Sequence, residues 1–199
     1  MTNKEQRIKA VIFDFAGVVG VDGYWAWLEE KGPELDRHRD AFHDVSVRAD
    51  RAEISKDDFV GFVAEKTGLS PEVISREMLP RYKINRDLVR FIEALRPRYK
   101  TGLLSNFVYE WLEDILATHD LYRLFDTTII SSRVKMVKPD PKIYELACSK
   151  LGVLPSESVF IDDRQGHVDA AIRCGLRGLL YKDVPSLVAE LRGLGVTAG

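Results

Sequence analysis

The sequence predicts an α/β protein, an open parallel sheet with helices on both faces and a helical insertion after the first strand. Three observations carry that expectation. The apolar runs Val11-Ile12-Phe13 and Val159-Phe160-Ile161 each end in carboxylate, Asp14 after the first and Asp162-Asp163 after the second. From Asn85 onward, short apolar runs alternate with segments of helical period, the rhythm of parallel strands joined by helices. Between Gly20 and Ile84 there are helical start signals and no strand-like runs. The expected organisation is therefore a sheet core from residues 1–19 and 85–199, with residues 20–84 inserted as a helical subdomain.

The elements follow in order. Residues 8–14 are apolar with β-branched members, bounded by charge before and glycine after, which predicts a buried strand. Trp25, Leu28 and Glu29 begin one helical segment, and Leu35 to Ala49 form another, rich in Arg, His and Asp. Ser55 followed three residues later by Asp58 is a capping box leading into Phe59, Phe62 and Val63 at helical spacing, and Gly68 ends that helix. Ser70-Pro71-Glu72 starts the next, with Pro in the first turn. Helices are then expected at Asp87–Leu95, Trp111–Ala117, Pro141–Leu151, Val168–Cys174 and Val184–Leu194. Strands are expected at Lys100–Ser105, Thr127–Ser131, Ser158–Asp162 and Gly178–Tyr181. No internal repeat or low-complexity segment interrupts them.

Composition narrows the class. With 45% hydrophobic and 30% charged residues in 199, the chain reads as an ordinary globular protein. A formal charge of −2 gives no electrostatic reason to expect nucleic acid or an anionic membrane. No stretch approaches the roughly 20 apolar residues of a membrane span. The N-terminal apolar run is too short for a signal peptide and ends in aspartate, so the expected location is cytoplasmic. Cys148 and Cys174 are the only cysteines, and they read as small buried hydrophobes within helices.

Four polar clusters fall just after predicted strands: Asp14, Ser105-Asn106, the loop to Lys138, and Asp162-Asp163. In a parallel sheet the carboxyl ends of the strands lie on one edge, so these clusters should converge. The chemistry they suit is phosphoryl transfer. A carboxylate can attack phosphorus to form an aspartyl-phosphate, but its charge repels a phosphate dianion unless a cation intervenes. Mg²⁺ prefers oxygen ligands and can use carboxylates from two strands. The Ser105 hydroxyl, Asn106 amide and Lys138 ammonium can bind the remaining phosphate oxygens.

At these residues the sequence resembles the haloacid dehalogenase superfamily of hydrolases. The segments Leu103–Phe107, Val137–Ala147 and Val159–Ala171 are similar to the branch containing sugar-phosphate phosphatases and the phosphatase domain of soluble epoxide hydrolase, and Arg51–Phe59 resembles that branch's helical cap. The resemblance implies a three-layer, Rossmann-like α/β core with a small inserted cap. It implies Asp14 as nucleophile, Ser105 with Asn106 as the second motif and Lys138 as the third. It implies a Mg²⁺ site built from Asp14, the backbone carbonyl of Ala16 and Asp163, with Asp162 beside it. The expected partner is a small phosphorylated substrate, in a monomer or homodimer.

Ala16 is the departure. Most phosphatases of the family carry there a second Asp that protonates the leaving oxygen and then activates water. Phosphonatases of the family have alanine and use a cap lysine, for which Lys31, Lys56 and Lys66 are candidates. Three readings follow: a Mg²⁺-dependent phosphatase, a phosphonatase-like carbon–phosphorus hydrolase, and a weakly catalytic member that binds a phosphorylated ligand or a protein. Tyr24, Trp25 and Trp27 are expected mainly in cap packing, and His167 on a helix surface. His38, Arg39, His43, Arg48 and Arg51 are expected on a solvated face.

Overall fold

The computed structural model describes residues 7–198; residues 1–6 and Gly199 of the expected core lie outside them. Strands β1 (Ala10–Phe13), β2 (Lys100–Ser105), β3 (Thr127–Ile130), β4 (Ser158–Asp162) and β5 (Arg177–Leu180) form one sheet in the order β3-β2-β1-β4-β5. Every pairing is parallel, with Ile12 opposite both Gly102 and Phe160. β1 is central, so the chain that leaves it is flanked by the ends of β2 and β4.

Alternation along β1 explains its unbroken apolar run. Val11 and Phe13 join Leu103, Val159 and Ile161 on one face, while Ala10 and Ile12 join Leu104, Ile129 and Phe160 on the other. A sheet covered on both sides needs apolar residues at every position. The first face is covered by α5 (Arg86–Leu95), α6 (Tyr109–Thr118) and α10 (Val184–Gly193). The second is covered by α8 (Pro141–Leu151) and α9 (Gln165–Arg173).

The inserted segment holds α1 (Gly23–Glu30), α2 (Arg39–Asp50), α3 (Lys56–Thr67) and α4 (Pro71–Met78). The capping box forms as its spacing predicts: Ser55 Oγ accepts from Asp58 N at 3.1 Å, and Asp58 accepts from Ser55 N at 3.0 Å. Gly68 closes α3 in the left-handed conformation. Trp27, Phe42, Val63, Ile74 and Met78 fill the centre of the segment. The chain crosses into it and back side by side, with Val21 N donating to Lys83 O at 3.0 Å and Asn85 N to Val19 O at 2.9 Å. Rings of Phe15, Tyr82 and Phe107 pack together at this crossing. Phe59 meets Trp111 edge-on at 5.2 Å farther out.

Several boundaries differ from expectation. The segment from Leu35 divides into a 3₁₀ turn at Pro33–His38 and then α2. The strand expected through Ser131 stops at Ile130. Ser131 starts a short helix, α7 (Ser131–Val134), and its Oγ accepts from Phe107 N at 3.0 Å. The last strand lies one residue earlier than expected, at Arg177–Leu180. The helix expected from Val168 begins at Gln165, so Cys174 is its half-buried C-cap; Cys148 is buried as expected. Among the described residues no helix is long and apolar enough to cross a membrane.

Candidate active site at the strand ends

Asp14 follows the last residue of β1, and its backbone N–H extends the ladder by donating to Ile161 O at 2.9 Å. Asp162 ends β4. Sheet order alone therefore sets these two carboxylates side by side. Lys138 enters from the loop before α8 and bridges them, with Nζ 2.9 Å from Asp14 Oδ1 and 2.6 Å from Asp162 Oδ2. The ammonium is fully buried, so the pairing must offset a large desolvation cost. Burial pushes the Lys138 pKa down, and the charges of Asp14 and Asp162 more than reverse it.

Asn106 holds this lysine in place. Its Nδ2 donates to Lys138 O at 3.0 Å, and its Oδ1 accepts from Lys138 N at 2.8 Å. The amide expected to face phosphate is thus engaged in fixing the Lys138 backbone. Ser105 is fully buried at the end of β2, and its Oγ has no hydrogen-bond partner among the described residues.

The two central carboxyls differ in electrostatics. Burial raises the Asp14 pKa to about 7, with Lys138 opposing and Asp162 reinforcing the rise. Burial also acts on Asp162, but Lys138 and then His167 outweigh it and hold this carboxyl well below the usual range. Asp162 is saturated with partners. Arg164 N donates to Oδ1 at 2.8 Å, and His167 Nδ1 lies 3.1 Å from both oxygens. His167 is therefore not the surface helix residue expected from sequence. The first turn of α9 carries it back over the strand end that Asp162 terminates.

Asp163, next along the chain, is exposed and lines the cleft. Gly17 makes room for it. A Cβ at residue 17 would stand 2.2 Å from Asp163 Oδ2, and the glycine holds a φ of +83° that side chains disfavour. Asp14 Oδ1 accepts from Phe15 N and Lys138, while no described donor reaches Oδ2.

This donor set fits Mg²⁺. The Asp14 carboxylate, the Ala16 carbonyl and Asp163 are hard oxygen donors on residues that line the same cleft, and no described cation pairs with Asp163. Burial and then the Asp162 charge raise the Asp163 pKa. A second grouping, Asp14, Asp162 and His167, also lies within ligand distance. The Lys138 ammonium already sits between its two carboxylates, so it is less suited to a cation.

Above these groups opens a cleft of about 360 Å³, within the size range of small-ligand sites. Its floor includes Asp14, Ala16, Lys138, Asp163 and His167. The inserted segment supplies its roof: Tyr24 and Trp25 from α1, His43 and Asp50 from α2, then Arg51 and Phe59. His43 and Arg51 are exposed, as a solvated face predicts, and they also line the cleft. Trp27 is core, with its Nε1 donating to Glu77 at 3.2 Å. Lys31 and Lys66 pair with Glu77 and Glu65, and neither they nor Lys56 line the cleft.

Comparison with known proteins adds a family. The sequence matches that of haloacid dehalogenase-like hydrolases over residues 8–175. It is 29% identical to bifunctional epoxide hydrolase 2 of Sus scrofa over 92% of this chain, but spans only 38% of that relative's length. D-ribitol-5-phosphate phosphatase of Bacteroides thetaiotaomicron is 26% identical, covering 81% of this chain and 85% of the relative. Validoxylamine A 7'-phosphate phosphatase of Streptomyces hygroscopicus subsp. limoneus is 28% identical over 84% and 83%. The crystal structure of an enzyme of this family from Bacteroides thetaiotaomicron, in complex with magnesium and inorganic phosphate, superposes with a TM-score of 0.75. It is 21% identical and covers 90% of this chain and 98% of that one.

Proposed function

Since the chain belongs to the haloacid dehalogenase-like hydrolases, we propose that it is a Mg²⁺-dependent phosphatase acting on a small phosphorylated metabolite through an aspartyl-phosphate on Asp14. One observation carries the reading: Asp14 lies against a fully buried ammonium, with one carboxylate oxygen unpaired, at the floor of a small-molecule cleft. Two relatives that are phosphatases by name support it, as does a structural neighbour with magnesium and phosphate bound.

The Asp14 carboxylate would attack phosphorus while Lys138, in contact with it, stabilises charge on the transferring group. Preorganised donors of this kind act strongly in a water-poor site. Asn106 fixes Lys138, while Ser105, expected to bind phosphate, is fully buried behind the cleft lining with its hydroxyl unpaired among the described residues. Asp14, the Ala16 carbonyl and Asp163 would hold Mg²⁺, with Asp162 anchoring Lys138 and His167 behind them. The bound cation would neutralise phosphate charge so that the carboxylate can approach.

The carbon–phosphorus reading needs a lysine from the inserted segment in the cleft, and none is there. The test is phosphate release from a panel of phosphorylated metabolites, with excess chelator and then with added Mg²⁺. Turnover should vanish and return. Activity undiminished in chelator would remove the Mg²⁺ mechanism.

A further inference from the structure

Residue 16 lines the cleft two positions after Asp14, and as alanine it offers no proton. The cleft has two carboxyls outside the strand-end cluster, Asp22 and Asp50. They differ in what already occupies them. Asp22 caps α1, its Oδ1 accepting from Trp25 N at 3.4 Å. The carboxyl of Asp50 has no hydrogen bond or ion pair among the described residues, although its residue is half-buried.

Position 50 is nonetheless fixed relative to the strand ends. Its backbone carbonyl accepts from Ser131 Oγ at 2.7 Å, and that same oxygen accepts from Phe107 N in the loop after β2. Asp50 is thus tied to the core through the residue that turns β3 into α7. It is also the last residue of α2, where the partial negative charge of the helix end disfavours a carboxylate.

We propose that Asp50 is the general acid and base of this enzyme, supplying from the inserted segment the proton that residue 16 cannot. The inference rests on the phosphatase reading. In the first step the Asp14 carboxylate forms a bond to phosphorus as the ester P–O bond breaks. The Asp50 carboxyl gives its proton to the departing oxygen, releasing an alcohol and leaving Asp50 ionised. In the second step Asp50 takes a proton from water as the water oxygen bonds to phosphorus. The bond between phosphorus and Asp14 breaks, inorganic phosphate leaves, and Asp50 is again the acid.

Proton affinity agrees with this role. Burial raises the Asp50 pKa to about 7, with Arg164 opposing, Asp22 reinforcing, and Lys138 and Asp14 adding smaller opposite contributions. A group near that value can both give and take a proton at neutral pH.

Two substrates separate the steps. D-ribitol 5-phosphate has an alkoxide leaving group that needs a proton; para-nitrophenyl phosphate has one that does not. Asp50→Asn should lower kcat on the alkyl ester by about 10²–10⁴-fold. With the aryl ester it should release nitrophenol in a burst of one equivalent and then turn over slowly, with phosphoenzyme detectable by mass. Wild type with the aryl ester is the control: the absence there of both turnover and phosphoenzyme would sink the phosphatase reading itself. With that control active, three results would overturn the role of Asp50 alone. These are a rise in KM with kcat unchanged, an equal loss on both esters without a burst, or a change under about threefold. Asp50→Ser should give the same signature, and serves if the Asn variant does not fold.

Discussion

The floor and the roof of the cleft are built on opposite plans. On the floor, both oxygens of Asp162 and Oδ1 of Asp14 accept hydrogen bonds, Lys138 bridges the two carboxylates, and Asn106 clasps the lysine backbone. On the roof, the Asp50 carboxyl has no partner among the described residues, and the Arg51 guanidinium pairs among them only with Glu53, at 3.8 Å. The contrast separates two ways of preparing a group. On the floor, side chains that must meet developing charge are locked in advance, because reorganisation during the reaction adds to the barrier. On the roof, the Asp50 backbone is held by Ser131 while its carboxyl stays free for the proton transfer proposed above, and Arg51 keeps its bonding capacity for the substrate.

Four measurements would break or sharpen this contrast. The largest effect is expected at Asp14. Asp14→Asn should abolish turnover, by at least about 10⁴-fold, with the fold intact by circular dichroism, since the amide retains the shape. Substantial residual turnover would place the nucleophile elsewhere.

Next is Lys138. Lys138→Ala should lower kcat/KM by about 10²–10³-fold. It also leaves Asp14 and Asp162 facing each other without a cation. A rate within a few fold of wild type would show that the buried bridge is structural alone.

Third is the pH dependence of stability at Asp50. Its folded pKa of about 7 lies above the 3.8 of an unperturbed aspartate. Its stabilising contribution is therefore complete below pH 3.8 and lost as pH rises through 7. Asp50→Asn cannot titrate there. The variant should match wild type near pH 4 and exceed it at pH 8, by on the order of 1–2 kcal/mol in urea unfolding. Equal stability at both pH values would mean that Asp50 is well solvated and the roof is open at that point.

The smallest effect belongs to Arg51. Arg51→Ala should raise KM by about three- to tenfold with kcat unchanged, the mark of binding shared by ground and transition states. A fall in kcat would move Arg51 from roof to floor in function.

The floor was far more legible than the roof. Asp14 and Asp162-Asp163 announced themselves because each terminates an apolar run, and strand ends in a parallel sheet share an edge. Ser105-Asn106 and Lys138 carried the same positional signal. The reading missed what the Asn106 side chain does, since a clasp on residue 138 joins segments far apart in sequence. It missed His167 although a signal existed: one turn of helix beginning directly after a strand returns to that strand's end. For Asp50 no local signal existed. It ends a charged helix beside Arg48 and Arg51, and nothing nearby marks it as different from Asp40 or Asp44.

Local sequence was enough to specify the strands, their flanking helices, the capped starts of α3 and α4, and the carboxylates at the strand ends. These rest on period, capping and strand termini, which act over a few residues and are written into them. That α2 brings His43 and Asp50 into the cleft that Asp14 lines is a matter of tertiary packing. The sheet order that sets β1 beside β4 and the docking of the inserted segment through Phe59, Trp111 and Ser131 are contacts between distant residues. Burial, and the proton affinities that follow from it, exists only once those contacts form.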